Sequence, residues 1–405
     1  MYFKKLLFTI SILIIATFAN AQVRSTDSLT NQPLNSASNI LMGNTSKGIR
    51  LGAYAQIDYN QPLSSDTYDA GKLDIHRLVL FMGYSFSDRV QFVSEIEFEH
   101  VSEVYVEQAF INYKLKEGLN LRAGLMLVPM GIINEYHEPT TYNGVERPNL
   151  EGQIVPTTWR ELGVGFSGNF PEMSLRYQVY AFNGFNGYSE GAGKFRGKDA
   201  FRKGRQKGAE SYMTSPNLST KVDYYGVQGL KMGLSGYFGK SQSDMFNGLI
   251  KDDPEGNLSA DSSRVDIAMV GFDARYQNRG FTARGMAVSS KVGNTAAYNG
   301  FTGKDLGSNL FGYYIEAGYD VMRLFTSRSS KPLNVFARYE QYDTHNKVAG
   351  DLTRNLAYDR TDITIGAGYW IAPGAVLKAD YQVFKNGELA SSSKKQLNFG
   401  VGIWF

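Results

Sequence analysis

The stretch that decides the fold is Ile49-Arg50-Leu51-Gly52-Ala53-Tyr54-Ala55-Gln56-Ile57-Asp58. Its apolar positions fall at every second residue: Ile49, Leu51, Ala53, Ala55 and Ile57. Between them lie Arg50, Gly52, Tyr54, Gln56 and Asp58. Period two marks an extended strand with one face against something apolar and the other against water or small residues. The pattern repeats in Leu78, Leu80, Met82, Tyr84 and Phe86, set against Arg77, Val79, Phe81, Gly83 and Ser85. It repeats again in Phe92, Ile96 and Phe98, opposed by Glu95, Glu97 and Glu99. Counted to the end of the chain there are sixteen such runs. The remainder fall at about 104–115, 119–128, 160–168, 173–184, 216–226, 229–241, 264–277, 280–290, 309–321, 332–343, 360–371, 374–384 and 394–405.

Upstream of this pattern the chain reads as an address. Lys4 and Lys5 precede an apolar run from Leu6 to Phe18, and Ala19-Asn20-Ala21 is a small-residue cleavage site before Gln22. Residues 1–21 are therefore expected to be a cleaved signal peptide, with an uncleaved anchor as the alternative. The run is short for a bilayer span, and no later window is long and apolar enough to be one. Residues 22–48, rich in Ser, Thr and Asn, are expected to be a flexible periplasmic lead-in, and 49–405 a single unit.

Composition narrows the classes. The 405 residues include 43 Gly, 26 Tyr, 25 Phe and no Cys, with a mean hydropathy of −0.29. Such a polar yet aromatic chain is neither a helical membrane protein nor a disordered one. Absent cysteine excludes disulfides, thiolate metal sites and lipidation at a lipobox. A formal charge of +3, lowered further when Lys4 and Lys5 leave, gives no case for nucleic acid.

An exported all-β chain is either a soluble β protein or an outer-membrane barrel. Sixteen strands of a soluble sandwich would break into domains with linkers, and none is visible after residue 48. A closed barrel with a wet lumen instead needs charge on the inner face of every wall. Parity places Arg77, Arg122, Arg176, Lys221, Arg275, Arg284, Arg338 and Lys378 there, with Arg50 and Lys231. Inward acids are at least as many, among them Asp58, Glu95, Glu97, Asp223, Asp273, Glu316, Glu340, Asp362 and Asp380. Connections alternate between short turns, such as Ser87-Asp88-Arg89 and Ala372-Pro373-Gly374, and long loops at about 59–73, 129–159, 185–215, 242–263, 291–308 and 344–359. Tight periplasmic turns and long outer loops are the habit of outer-membrane barrels. The fold expected is an antiparallel transmembrane β-barrel of about sixteen strands. Its last strand alternates through Leu397, Phe399, Val401 and Ile403 to Phe405, which resembles the signal read by the barrel-assembly machinery.

Several segments then resemble a known family: Leu73-Asp74-Ile75-His76-Arg77-Leu78, Phe86 to Phe92, Glu107-Gln108-Ala109-Phe110-Ile111-Asn112-Tyr113, and Leu119 to Gly131. Asn134-Glu135-Tyr136-His137-Glu138-Pro139 and Asn143-Gly144-Val145-Glu146-Arg147-Pro148 are the most distinctive. Together they resemble the phosphate-selective porin O and P family of Bacteroidetes-type outer membranes. The resemblance implies a sixteen-stranded, trimeric porin. In the family an arginine ladder and a lysine cluster select phosphate. The balanced lumen charge here does not look like a dedicated anion filter.

Two segments are candidate sites. The loop 129–159 carries Glu135, His137, Glu138, Glu146, Arg147 and Glu151, with Arg160 just beyond, and similar porins fold such a loop inward as a constriction. The alternative is a surface loop with solvated charges; the constriction is favoured because apolar Val128, Pro129, Ile132, Ile133 and Tyr136 would pack against a wall. The basic stretch Lys194, Arg196, Lys198, Arg202, Lys203, Arg205 and Lys207 would draw anions to the mouth or bind lipopolysaccharide. An exterior loop without a partner is the alternative. No cofactor, metal or catalytic residue is expected. The four histidines, His76, His100, His137 and His345, show no zinc spacing, and Asp252 to Asn257 lacks the ligand pattern of a calcium loop. The function expected is passive diffusion of small hydrophilic solutes, including anions such as phosphate. The competing readings are a phospholipase-like barrel enzyme and a loop-based adhesin.

Overall fold

A computed structural model describes residues 37, 41, 48–64, 66–326, 331–388 and 393–405. The expected signal peptide and most of the lead-in lie outside the described residues. Sixteen strands form one closed barrel. They are β1 Gly48–Leu63, β2 Lys72–Ser85, β3 Val90–Glu99, β4 Glu103–Lys116, β5 Leu119–Leu127, β6 Arg160–Phe170, β7 Leu175–Phe182 and β8 Asn217–Val227. The second half comprises β9 Leu230–Lys240, β10 Asp266–Asn278, β11 Phe281–Gly293, β12 Asn309–Asp320, β13 Leu333–Lys347, β14 Asp359–Ala372, β15 Ala375–Asn386 and β16 Lys394–Trp404. Each strand pairs antiparallel with its sequence neighbours. β16 closes the ring on β1, from Tyr54 opposite Trp404 to Leu63 opposite Lys395. No described helix is long and apolar enough to cross a membrane.

The faces follow parity. Leu51 and Leu73 are each 77% exposed and Ile315 63%, while Tyr54, Val79 and Arg338 on the opposite face are buried. A wall that turns its leucines outward and its arginines inward is built for lipid outside. Aromatic pairs mark the short-turn rim: Tyr84 and Phe86 stand 4.8 Å apart, Phe170 and Tyr177 5.2 Å. Such rings suit the membrane interface. The outer ribbons run further than the alternation indicates. The expected loop 59–73 shrinks to 64–71 because Asn60, Gln61 and Pro62 still pair with β16. Beyond the bilayer both faces are wet, so alternation fades while the hydrogen-bond ladder continues.

Among the register shifts of the barrel, two redirect side chains into the lumen. Gln56 faces Arg77 but Asp58 faces Asp74, so β2 bulges at Ile75–His76. Glu95 faces Gln108 but Ile96 faces Val106, so β4 bulges at Glu107. A bulge turns two consecutive side chains toward one face. Glu107 and Gln108 are accordingly both buried, and His76 shares the inner side with Arg77. Parity had left Glu107 and His76 out of the lumen set.

Candidate functional site

The lumen is filled by the connection between β5 and β6, residues 128–159. Its two ends are tied by Asn134. This buried amide donates to the carbonyls of Val128 at 2.7 Å and Trp159 at 2.9 Å, and accepts from the Trp159 amide at 2.7 Å. Gly131 follows the entry with φ +71, where a Cβ would strike the Glu151 carboxylate. Its carbonyl accepts from Lys221 Nζ at 2.6 Å. Met130, Ile132, Ile133, Leu150, Ile154, Val155 and Trp159 are almost wholly buried against inward Tyr180, Tyr237, Met269, Val288 and Tyr314. Each such side chain contributes about 1.5–3 kcal/mol of burial. The inner wall is thus apolar where these side chains lean on it, which the alternation of charges alone had not indicated.

The loop is pinned to walls all around the barrel. His137 Nε2 lies 3.2 Å from Glu95 Oε1 and 3.1 Å from Glu107 Oε2. Arg160 meets the other Glu107 oxygen at 3.1 Å. Burial alone would lower the His137 pKa, but the two carboxylates overcome it and hold the imidazolium well above its ordinary value. Across the lumen, Arg284 donates to the Thr141 carbonyl at 2.8 Å, and Lys378 Nζ to those of Tyr142 and Gly144 at 2.7 and 2.8 Å. The Val145 amide donates to Asp380 at 2.6 Å. The Leu150 amide donates to Glu340 at 2.9 Å, where the short helix α1, Leu150–Gln153, begins. Unsatisfied first-turn amides favour a carboxylate at that place.

The residues expected at a constriction divide into two sets. Glu151 is a brace inside the loop: it accepts from the Ile132 and Ile133 amides at 3.0 and 2.6 Å and from the Tyr314 hydroxyl at 2.8 Å. Burial pushes its carboxyl up to about 7. His137, Glu138 and Arg160 are likewise buried. Glu135, Glu146 and Arg147 keep some exposure. Burial opposes charge on Glu135, but Lys221 at 2.7 Å keeps its carboxyl below the usual range.

Among the described residues, two compartments lie on the short-turn side. The larger, about 790 Å³, is lined by Lys114, Lys116, Arg122 and Arg176, by Glu117, Glu135 and Glu172, and by Ala37 and Leu41 of the lead-in. The smaller, about 380 Å³, carries Arg275, Arg284, Arg323 and Lys378 against Asp320. Tyr136 lines both. Burial raises its phenol, but Lys231, Arg275 and Arg176 outweigh this and bring it down to about 8. The predicted lumen cations Arg122, Arg176, Arg275 and Lys378 enter no ion pair among the described residues, whereas Arg77, Lys221, Arg284 and Arg338 are matched to Glu97, Glu135, Glu316 and Glu340.

Two residues of the basic stretch 194–207, Arg202 and Arg205, clasp the end of the loop. Arg202 donates to the Thr157 carbonyl at 2.6 Å, and Arg205 to those of Pro156 and Thr158 at 3.2 and 3.1 Å. Arg196 is bidentate to Asp199, and Lys207 covers the Tyr105 ring at 4.4 Å. Burial, then the neighbouring Arg202 and Arg160, brings Arg205 down to about 9. Lys198 and Lys203 are exposed, and Lys194 reaches Glu190 at 3.4 Å. Asp253 of the acidic stretch caps the helix α2, Pro254–Ser262, by accepting from the Gly256 amide at 3.1 Å. Among the described residues each histidine meets carboxylates or backbone, and no histidine–serine hydrogen bond is present.

A closed sixteen-stranded antiparallel barrel with a charged lumen and an internal loop defines the porin class of outer-membrane channel. The chain belongs to the family of phosphate-selective porins O and P, which matches it over residues 49–395. It is 31% identical over 344 residues to an uncharacterized protein of Aquifex aeolicus, covering 83% of this chain and 75% of that one. Among solved structures it is similar to the outer membrane channel DcaP of Acinetobacter baumannii, with a TM-score of 0.59 and 12% identity over 90% of this chain and 99% of that one. The anion-selective porin of Comamonas acidovorans gives a TM-score of 0.56 and 13% identity over 89% and 100%. At these identities the two structures speak for the fold alone.

Proposed function

We propose that the barrel is a passive diffusion channel for small hydrophilic solutes with a preference for anions, phosphate included, and that residues 128–159 form its constriction. The observation that supports the anion preference is the smaller compartment, where four basic side chains line the wall with Asp320 and where, among the described residues, Arg275 enters no ion pair. Cations fixed in a narrow, weakly hydrated passage raise the local concentration of anions. No chemical step is involved. The family resemblance adds a homotrimer, and outward rows such as Leu234, Ile315 and Phe399 are apolar enough to meet either lipid or a neighbouring barrel.

The test is a planar bilayer with a salt gradient. Stepwise conductance with an anion-directed reversal potential is expected, and phosphate should lower the chloride current. A cation-directed potential overturns the preference, and a silent, correctly folded barrel overturns the channel. Crosslinking in native membranes should give trimers.

A further inference from the structure

The bulge in β2 has a second effect at the long-loop rim. It brings His76 beside Asp58 of β1, with His76 Nδ1 3.3 Å from Asp58 Oδ2. Asp74, two residues before His76, adds a third donor, and the donor atoms of Asp58, Asp74 and His76 all lie within 4.8 Å of one another. His100, at the end of β3, sets its Nδ1 2.5 Å from Asp74 Oδ2 and packs its ring edge-on to His76 at 5.6 Å. Gln56 Nε2 holds Asp58 Oδ2 at 3.0 Å. Glu146, from the tip of the internal loop, hydrogen-bonds Asn60 at 3.0 Å beside this group.

We propose that Asp58, Asp74 and His76 form a binding site for a divalent transition-metal ion of the zinc type at the extracellular rim, with His100 as the residue that orients Asp74. Mixed imidazole and carboxylate donors suit zinc and its neighbours, whereas calcium and magnesium prefer oxygen alone. Ligands on one tetrahedral zinc at about 2.0–2.2 Å stand about 3.3 Å apart, the separation His76 and Asp58 already have. The site is open to solvent on one side: the side chains of His76, Asp74 and His100 are 26%, 25% and 44% exposed, while Asp58 is buried behind them at 2%. Gln56 on Asp58 and His100 on Asp74 supply the outer hydrogen bonds that ligating carboxylates require.

The other group of similar composition, Glu95, Glu107 and His137, lacks these properties. Its three side chains are sealed from water, and Arg160, Tyr54 and Gln108 already occupy its oxygens. It serves as the loop anchor. The rim site gives the barrel an external metal station that does not depend on which solute passes.

Full-length, tag-free barrel in detergent, stripped with chelator, would be titrated with zinc chloride by calorimetry. About one zinc ion per chain is expected, with calcium failing to compete. His76→Ala should abolish binding, and His100→Ala should weaken it about 10–100-fold, the usual effect of losing an orienting partner. Heat-modifiable gel mobility checks the folding of each variant. If His76→Ala does not fold, Asp74→Asn at the exposed edge is read in its place. No saturable binding to wild type, equal binding in folded His76→Ala, or full competition by calcium each overturns the site.

Discussion

From β10 to β12 the ladder runs without a shift, Asp266 opposite Gly293 through to Asn278 opposite Phe281, and on through Arg284 opposite Glu316. In β2 and β4 the ladder slips by one residue. The regular wall offers alternate cations, Arg275 and Arg284, and the loop meets them with backbone carbonyls and the Tyr136 ring. The bulged wall offers consecutive polar residues, and the loop meets Glu95 and Glu107 with a single imidazolium. The difference teaches that a barrel can hold one loop in two ways. One side holds it by separate contacts between spaced wall residues and the loop's carbonyls and rings. The other holds it by one concentrated, buried charge cluster.

The largest effect should come from removing what both walls grip. Replacing residues 131–157 by a short Gly-Ser linker should raise single-channel conductance severalfold, and an unchanged value would end the constriction reading. Next, His137→Ala strands Glu107 and Glu95 in the interior and should cost about 3–5 kcal/mol, seen as a lower unfolding temperature in detergent. Glu107→Gln in the same chain should restore part of it. The pH dependence has a definite sign. A histidine whose folded pKa is raised stabilises fully below its unfolded value of about 6.5, and the gain is lost as pH rises through the folded value. Arg77, Glu97 and Arg160 share that pocket, so the slope is assigned by its absence in His137→Ala.

On the regular wall smaller changes are expected. Arg275→Gln with Lys378→Gln should move the reversal potential toward cations while leaving the barrel folded. Raising pH from 7 to 9 carries Tyr136 through its value of about 8 and adds negative charge between the compartments. Anion preference should fall more steeply over that interval in wild type than in Tyr136→Phe. Smallest of all, exposed Lys203→Gln should change stability by less than about 0.5 kcal/mol and leave conductance unaltered.

The strands and their faces were legible because a bilayer and a wet lumen impose the same two-residue rule everywhere. The rule fails where a residue is inserted: His76 and Glu107 point inward only because β2 and β4 bulge, and a single sequence does not mark an insertion in a strand. Inside 128–159 no period exists to be read. Glu135 and Glu151 look alike as letters, yet one pairs with Lys221 and the other braces amides of its own loop. Lys194 to Lys207 read as an open cationic block because the carbonyls that Arg202 and Arg205 serve lie some 45 to 49 residues away.

The internal loop also joins near and far parts of the chain. Its bond to Glu95 closes a span of 42 residues, whereas that to Asp380 closes 235. The entropy of closure grows only slowly with span, so the long tie costs little more than the short one. One loop therefore fastens the first strands of the barrel to the last ones across the lumen, a second closure besides the β1–β16 seam.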